Sequence, residues 1–154
     1  MLAELLAPLR IELGANISSK KKALETLAKL FAQSDAKLEQ DAIFDALTAR
    51  EKLGSTALEK GIAIPHCRIA GCQQPAAAVL TLQTGVDFDA RDNTDVDLIW
   101  ALIVPEQSNT DHLQILSSLA RLLADDQNCL QIRSCTDSNQ LLDQLEHYEQ
   151  AIAS

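Results

Sequence analysis

The residues best suited to chemistry lie in one stretch of this sequence. His66 is one of only three histidines, and it follows Gly61-Ile62-Ala63-Ile64-Pro65, a short apolar run bounded by chain breakers. Proline fixes its own φ and biases the preceding residue towards an extended backbone, so the imidazole is presented from a stiff support. On the residues alone two readings stand: an ordinary exposed loop histidine, or a functional residue at a ligand site where a strand passes into a loop. Charge favours the second. Residues 50–68 hold four basic groups (Arg50, Lys52, Lys60, Arg68) and two acids (Glu51, Glu59), a net +2, whereas the whole chain is −9. Gly54-Ser55-Thr56 adds hydroxyls and backbone N–H groups of the kind that cradle an anion. The spacing matches neither a P-loop nor a dinucleotide fingerprint. Ser55, Thr56 and Arg68 are the expected phosphate ligands.

His112 opens a helical pattern, and a helix N-terminus favours anions and disfavours protonation of a nearby imidazole. It reads either as a neutral hydrogen-bond donor beside a phosphate or as a helix-start surface residue. His147, flanked by Glu146 and Glu149, reads as a solvated surface residue. Cys67 and Cys72, and Cys129 and Cys135, form no C-x-x-C pair, so a zinc or redox motif is unsupported and the thiols read as structural, with Cys67 reactive only if it faces a basic pocket beside His66. Asp87, Asp89, Asp92, Asp95 and Asp97 lack the Gly and Glu of a calcium loop and read as turns.

The elements that must position these residues follow from periodicity. The 154 residues suit one domain, 47% apolar and 23% charged, with a Leu- and Ala-rich core that leans towards helix. The pattern predicts a short helix over 2–9 closed by Pro8, a strand over 11–17, and a helix capped by Ser18 or Ser19 and running to about 32. A second helix is expected over 38–53, with Ala42, Ile43, Ala46 and Leu47 facing inward and Gly54 in the left-handed position beyond it. Strands are expected over 76–83 and 96–104, the latter so apolar that it should be buried on both faces. Thr110 should cap a helix over 111–124 with Leu113, Leu116, Leu119, Ala120 and Leu123 inward. A short helical piece near 128–133 and a last helix over 138–152, opened by an Asp137/Gln140 capping box, complete the chain. The expected class is α/β, with 1–154 a single domain and a mixed central β-sheet flanked by helices on both faces.

The acidic balance argues against nucleic acid and against anionic membrane surfaces. The longest apolar run, 98–105, is too short to span a bilayer, and the acid at Glu4 stands where a signal peptide carries basic charge. A cytoplasmic protein with free thiols is expected.

Two segments, Arg50-Glu51-Lys52-Leu53-Gly54-Ser55-Thr56 and Gly61-Ile62-Ala63-Ile64-Pro65-His66, resemble the signatures of the IIA proteins of the mannitol/fructose class in the bacterial phosphoenolpyruvate phosphotransferase system. Asp87-Phe88-Asp89-Ala90, Val96-Asp97-Leu98-Ile99, the Val104-Pro105 exit and His112-Leu113 are similar to the same family, its nitrogen-regulatory members above all. The resemblance spans about residues 10–150. It implies phosphorylation of His66 at Nε2 by a histidine-containing phosphocarrier protein, with Arg50 and His112 as its active-site partners and no nucleotide, metal or other cofactor. It implies a regulatory output through proteins such as potassium-transport or sensor-kinase components. Transfer onward to a IIB domain of a sugar transporter is the alternative, and a non-phosphorylated binding module is a third reading. The family commonly has Gly and then Lys or Thr after the histidine; here Cys67 and Arg68 follow.

Overall fold

A computed structural model of the chain describes residues 1–107 and 110–153, without the side chains of Thr110 and Asp111. Its centre is β5 (Val96–Pro105), whose side chains alternate between two cores. Ile99, Ala101 and Ile103 pack on one face, and Leu98, Trp100, Leu102 and Val104 on the other. All seven are essentially without solvent contact, as a nearly continuous apolar run requires. Fully burying one Leu, Ile or Val stabilises by about 1.5–3 kcal/mol, so this strand is a main source of stability. β4 (Ala76–Val86) runs antiparallel beside it, with Val79 opposite Trp100, and β1 (Ile11–Ala15) lies parallel to β4.

On the other side of β5 lie β2 (Ile62–Ala63) and β3 (His66–Ile69), both parallel to it. Ile62 faces Leu98 and His66 faces Leu102, the same offset, so the two pieces are one edge strand in a single register. Pro65 supplies no N–H, but its carbonyl still accepts the Leu102 N–H at 2.9 Å. An edge is where a sheet tolerates proline. The sheet is therefore mixed, ordered β1-β4-β5 with the β2/β3 strand outside.

α1 (Lys20–Ser34) and α2 (Gln40–Leu53) cover one face. α3 (Thr110–Leu123), α4 (Asp126–Ser134) and α5 (Ser138–Ala153) cover the other. Ser19 caps α1 by accepting the Lys22 N–H at 3.1 Å. Asp137 accepts the Gln140 N–H at 2.9 Å, and the Gln140 side chain reaches back to the Thr136 N–H at 2.8 Å, so the box closes one residue earlier than expected.

Several expectations are corrected. Residues 2–9 form two 3-10 turns, Ala3–Leu5 and Pro8–Arg10, and Pro8 opens the second instead of closing a helix, since a first helical residue needs no N–H. The first strand stops at Ala15, and β4 runs on to Val86. Ala42, Leu113 and Ala120 are exposed, Leu113 by 65%. Leu119 and Leu123 are buried as expected, but Ile115 and Leu122 complete the buried stripe of α3, because a leucine-rich helix offers two apolar stripes and only packing chooses between them. Gly54 caps α2 by donating its N–H to Glu51 O at 3.2 Å, with a φ of 159° near the extended region. The expected cap at Thr110 falls outside the described side chains.

Candidate active site

The edge strand decides what His66 can do. Along it Ile62 and Ile64 join the core under α3–α5, while Ala63, Cys67 and Ile69 join the core under α1 and α2. Alternation places His66 on the side of Ile64 and turns Cys67 to the opposite face. The residue was expected where a strand passes into a loop, but the strand resumes at His66 and continues to Ile69. Its imidazole is half-buried, with Nδ1 2.8 Å from the Ile64 carbonyl oxygen. A carbonyl can only accept, so Nδ1 carries the proton and Nε2 keeps its lone pair.

His112, in the first turn of α3, is 9% exposed, and its ring lies 5.8 Å from that of His66, tilted by 50°. Its Nδ1 is buried with no hydrogen-bond partner among the described residues. Burial pulls both imidazoles below the ordinary value of 6.5. For His66 the Ile64 hydrogen bond and Glu51 oppose the shift and Arg50 adds to it. For His112, His66 and Arg68 add to it. Both rings are neutral at pH 7. Between the lowered values and about 6.5 the unfolded chain binds more protons than the folded one, so stability rises with pH through that window and levels off above it. Urea midpoints should fall from pH 7.5 to 5.5, and fall less in a His66→Gln, His112→Gln double variant; an unchanged slope there would refute the assignment.

Arg50 stands in the last turn of α2, half-buried, its Nη1 donating to Gly54 O at 3.0 Å. Arg68, two residues along β3 from His66 and so on the same face, is exposed and donates to Glu106 O at 3.3 Å. Of the other basic residues counted in the +2 segment, Lys60 is drawn off by Asp126 at 3.0 Å.

The hydroxyls expected to face an anion are turned inward. Ser55 Oγ donates to Phe88 O at 2.6 Å, and Thr56 Oγ1 donates to the Glu51 carboxylate. Both protons hold the 54–58 loop. Glu51 itself was missed by sequence reasoning. It is 8% exposed and is bonded by the Thr56 N–H and by Lys20 Nζ at 2.8 Å. The signal was available: Ile43, Leu47 and Glu51 recur every four residues, which places an acid on the buried stripe of α2.

Cys67 packs away from the imidazole in the opposite core, and burial pushes its thiol up to about 12, so it carries no reactive thiolate. Cys72, Cys129 and Cys135 are also buried free thiols. His147 is exposed, with Nδ1 bonded to Asp143 O at 2.9 Å. Asp87 and Asp92 close short turns by accepting the N–H groups of Asp89 and Thr94. Among the described residues no group of three or more His, Cys, Asp or Glu side chains could hold a metal ion, and no helix is long and apolar enough to cross a membrane.

Residues 4–148 match the family described as phosphoenolpyruvate-dependent sugar phosphotransferase system, EIIA 2, and the chain belongs to that family. It is a phosphoryl-transfer component of that system. Within the family it is similar to nitrogen regulatory proteins: that of Pseudomonas aeruginosa is 47% identical over 122 residues, 79% of each chain. The nitrogen regulatory protein of Escherichia coli K12 is 40% identical over 124 residues, 80% of this chain and 76% of that one. The crystal structure of the nitrogen regulatory protein IIA-Ntr from Neisseria meningitidis superposes with a TM-score of 0.86 at 35% identity, covering 93% of this chain and 97% of the other.

Proposed function

We propose that His66 accepts a phosphoryl group from the phosphohistidine of a histidine-containing phosphocarrier protein and that the two resulting states regulate other proteins. The observation that carries this reading is the Nδ1–H bond to the Ile64 carbonyl, which leaves Nε2 as the nucleophile. The Nε2 lone pair forms the new N–P bond. The N–P bond to the carrier breaks, and the carrier nitrogen keeps that electron pair. Positive charge developing on the His66 ring is stabilised by the Ile64 carbonyl. Such transfer relies on positioning and on stabilising the phosphoryl oxygens, for which Arg50 offers a bidentate fork and Arg68 a second positive charge. Ser55 and Thr56 support the oxygens indirectly, by fixing the loop below Arg50.

The product brings a doubly charged phosphoryl group to the side of the edge strand that carries Arg68, a change that partner proteins can read. The nitrogen-regulatory relatives favour this output over sugar transport. Regulated partners of the potassium-transport or sensor-kinase kind, and a cytoplasmic setting shared with the phosphocarrier, belong to the same reading. Incubation with phosphoenolpyruvate, the first enzyme of the system and the phosphocarrier should give acid-labile phosphate, and phosphorus NMR should place it on Nε2 of one histidine. No uptake would leave the non-phosphorylated binding module; phosphate on Nδ1 would refute the proposed tautomer.

His112 assists without accepting. Its neutral ring lies 5.8 Å from that of His66, within reach of an oxygen of a phosphoryl group on the His66 Nε2. His112→Gln should slow uptake by a few-fold and His112→Ala by about tenfold, a lost hydrogen bond to a charged group being worth about 1.5–3 kcal/mol at most. Initial rates at pH 7 decide: parental rates in both variants would make His112 a bystander.

A further inference from the structure

We infer that Glu51 is a positioning residue for His66, holding the nucleophilic nitrogen free through a continuous run of hydrogen bonds. The inference rests on the phosphoacceptor reading above.

The run begins outside the site. Lys20 Nζ, in the first turn of α1, lies 2.8 Å from the Glu51 carboxylate. That carboxylate accepts the Thr56 N–H, 3.3 Å from each oxygen, and the Thr56 hydroxyl. The Thr56 carbonyl accepts the Ile64 N–H at 3.1 Å. The Ile64 carbonyl accepts the His66 Nδ1–H at 2.8 Å. Each member is fixed by the one before it, and the last bond selects the tautomer. A second tie runs beside the first. Lys20 sits 5.0 Å over the Phe88 ring, and the Phe88 carbonyl accepts the Ser55 hydroxyl. The loop that carries Thr56 is thereby held at both of its first two hydroxyls.

The energetics argue that this carboxylate is there for position. Position 51 belongs to the buried stripe of α2, whose other members, Ile43 and Leu47, are apolar. Burying a carboxylate costs several kcal/mol unless charge and hydrogen bonds compensate it. Here Lys20 and the two Thr56 donors do so. Without the carboxylate, the Thr56 N–H and hydroxyl would be left unpaired in a buried place, and the loop would move to satisfy them. Any such movement shifts the Thr56 carbonyl, and with it Ile64. Misplacement on the scale of 1 Å is enough to cost about 10²-fold in a positioned reaction. The negative charge also opposes the burial that lowers the His66 proton affinity.

The test uses the full chain, unphosphorylated and labelled with nitrogen-15 in histidine, read by NMR, and the same proteins in the phosphocarrier assay. The parent should show His66 with Nδ1 protonated and Nε2 free. Glu51→Gln should turn this into a mixture of tautomers and slow uptake by roughly tenfold or more. Thr56→Val should do the same to a lesser degree, and Thr56→Ser, which keeps the hydroxyl, should restore the parental tautomer and rate. Should Glu51→Gln not fold, the Val and Ser pair decides. A purely structural role would lower the unfolding midpoint while leaving the tautomer and the folded-protein rate parental, and that result overturns the inference. If the parent itself takes up no phosphate, the phosphoacceptor reading fails, yet the tautomer measurement still confirms or overturns the run of bonds.

Discussion

His66→Ala should take up no phosphoryl group while remaining folded. The edge strand does not depend on the imidazole: Cys67 and Ile69 anchor it to one core, Ile62 and Ile64 to the other, and its pairing with β5 is made by the backbone. The substitution removes a half-buried ring and one hydrogen bond to Ile64, a loss of about 0.5–1.5 kcal/mol. Part of that is returned at low pH, since the folded chain no longer holds an imidazole that burial keeps from protonating. The chemical loss is complete. Among the described residues His112 is the other imidazole in the site, and at 9% exposure in the first turn of α3 it is poorly placed to attack phosphorus. His147 lies exposed on α5. The measurement is acid-labile label per molecule after prolonged incubation with the phosphocarrier, alongside a denaturation midpoint. Label at the parental level in a folded His66→Ala protein would remove the nucleophile from the mechanism.

How far the sequence could be read depended on whether a residue's partners are local. β5 was plain because burial on both faces leaves an unbroken apolar run, and the caps at Ser19 and Asp137 were plain because they act within four residues. The Ile64-Pro65-His66 step identified the candidate nucleophile but hid its setting. The proline reads as the end of a strand, whereas the pairing with β5 passes through it unchanged. Carrying the alternation two residues further would have turned Cys67 away from the imidazole and settled whether its thiol bears on the site. Ser55 and Thr56 looked like anion ligands because hydroxyls beside a glycine can join backbone N–H groups in cradling a phosphate, but their partners, Phe88 O and a buried Glu51, could not be seen without the fold. The charge count erred in the same way. It included Lys60, whose ammonium group pairs with Asp126, sixty-six residues away. In α3, leucines on two stripes made the inward face undecidable from periodicity, and the exposed Leu113 shows which stripe packing rejected.

Arg50→Ala should separate catalysis from stability. The side chain extends from the last turn of α2, where a cation meets the unpaired carbonyls and the negative end of the helix dipole, and its Nη1 already donates to Gly54 O. Such contacts near a surface are worth about 0.3–1 kcal/mol, so the variant should unfold within that margin of the parent. The rate should fall by roughly 10²-fold or more, the range for removing one donor from a developing oxyanion. Two causes of a slower rate can be told apart by pH. Arg50 also pushes the His66 proton affinity down, so its removal raises it and leaves less of the ring neutral near pH 6. At pH 8 His66 is neutral with or without the arginine, and a loss that persists there reflects the missing partner for the phosphoryl oxygens. Arg50→Lys restores the charge without the planar fork, and should recover the pH 6 deficit more fully than the pH 8 one. A deficit that disappears at pH 8 in the alanine variant would confine Arg50 to setting the protonation of His66 and would leave the phosphoryl oxygens to Arg68 and His112.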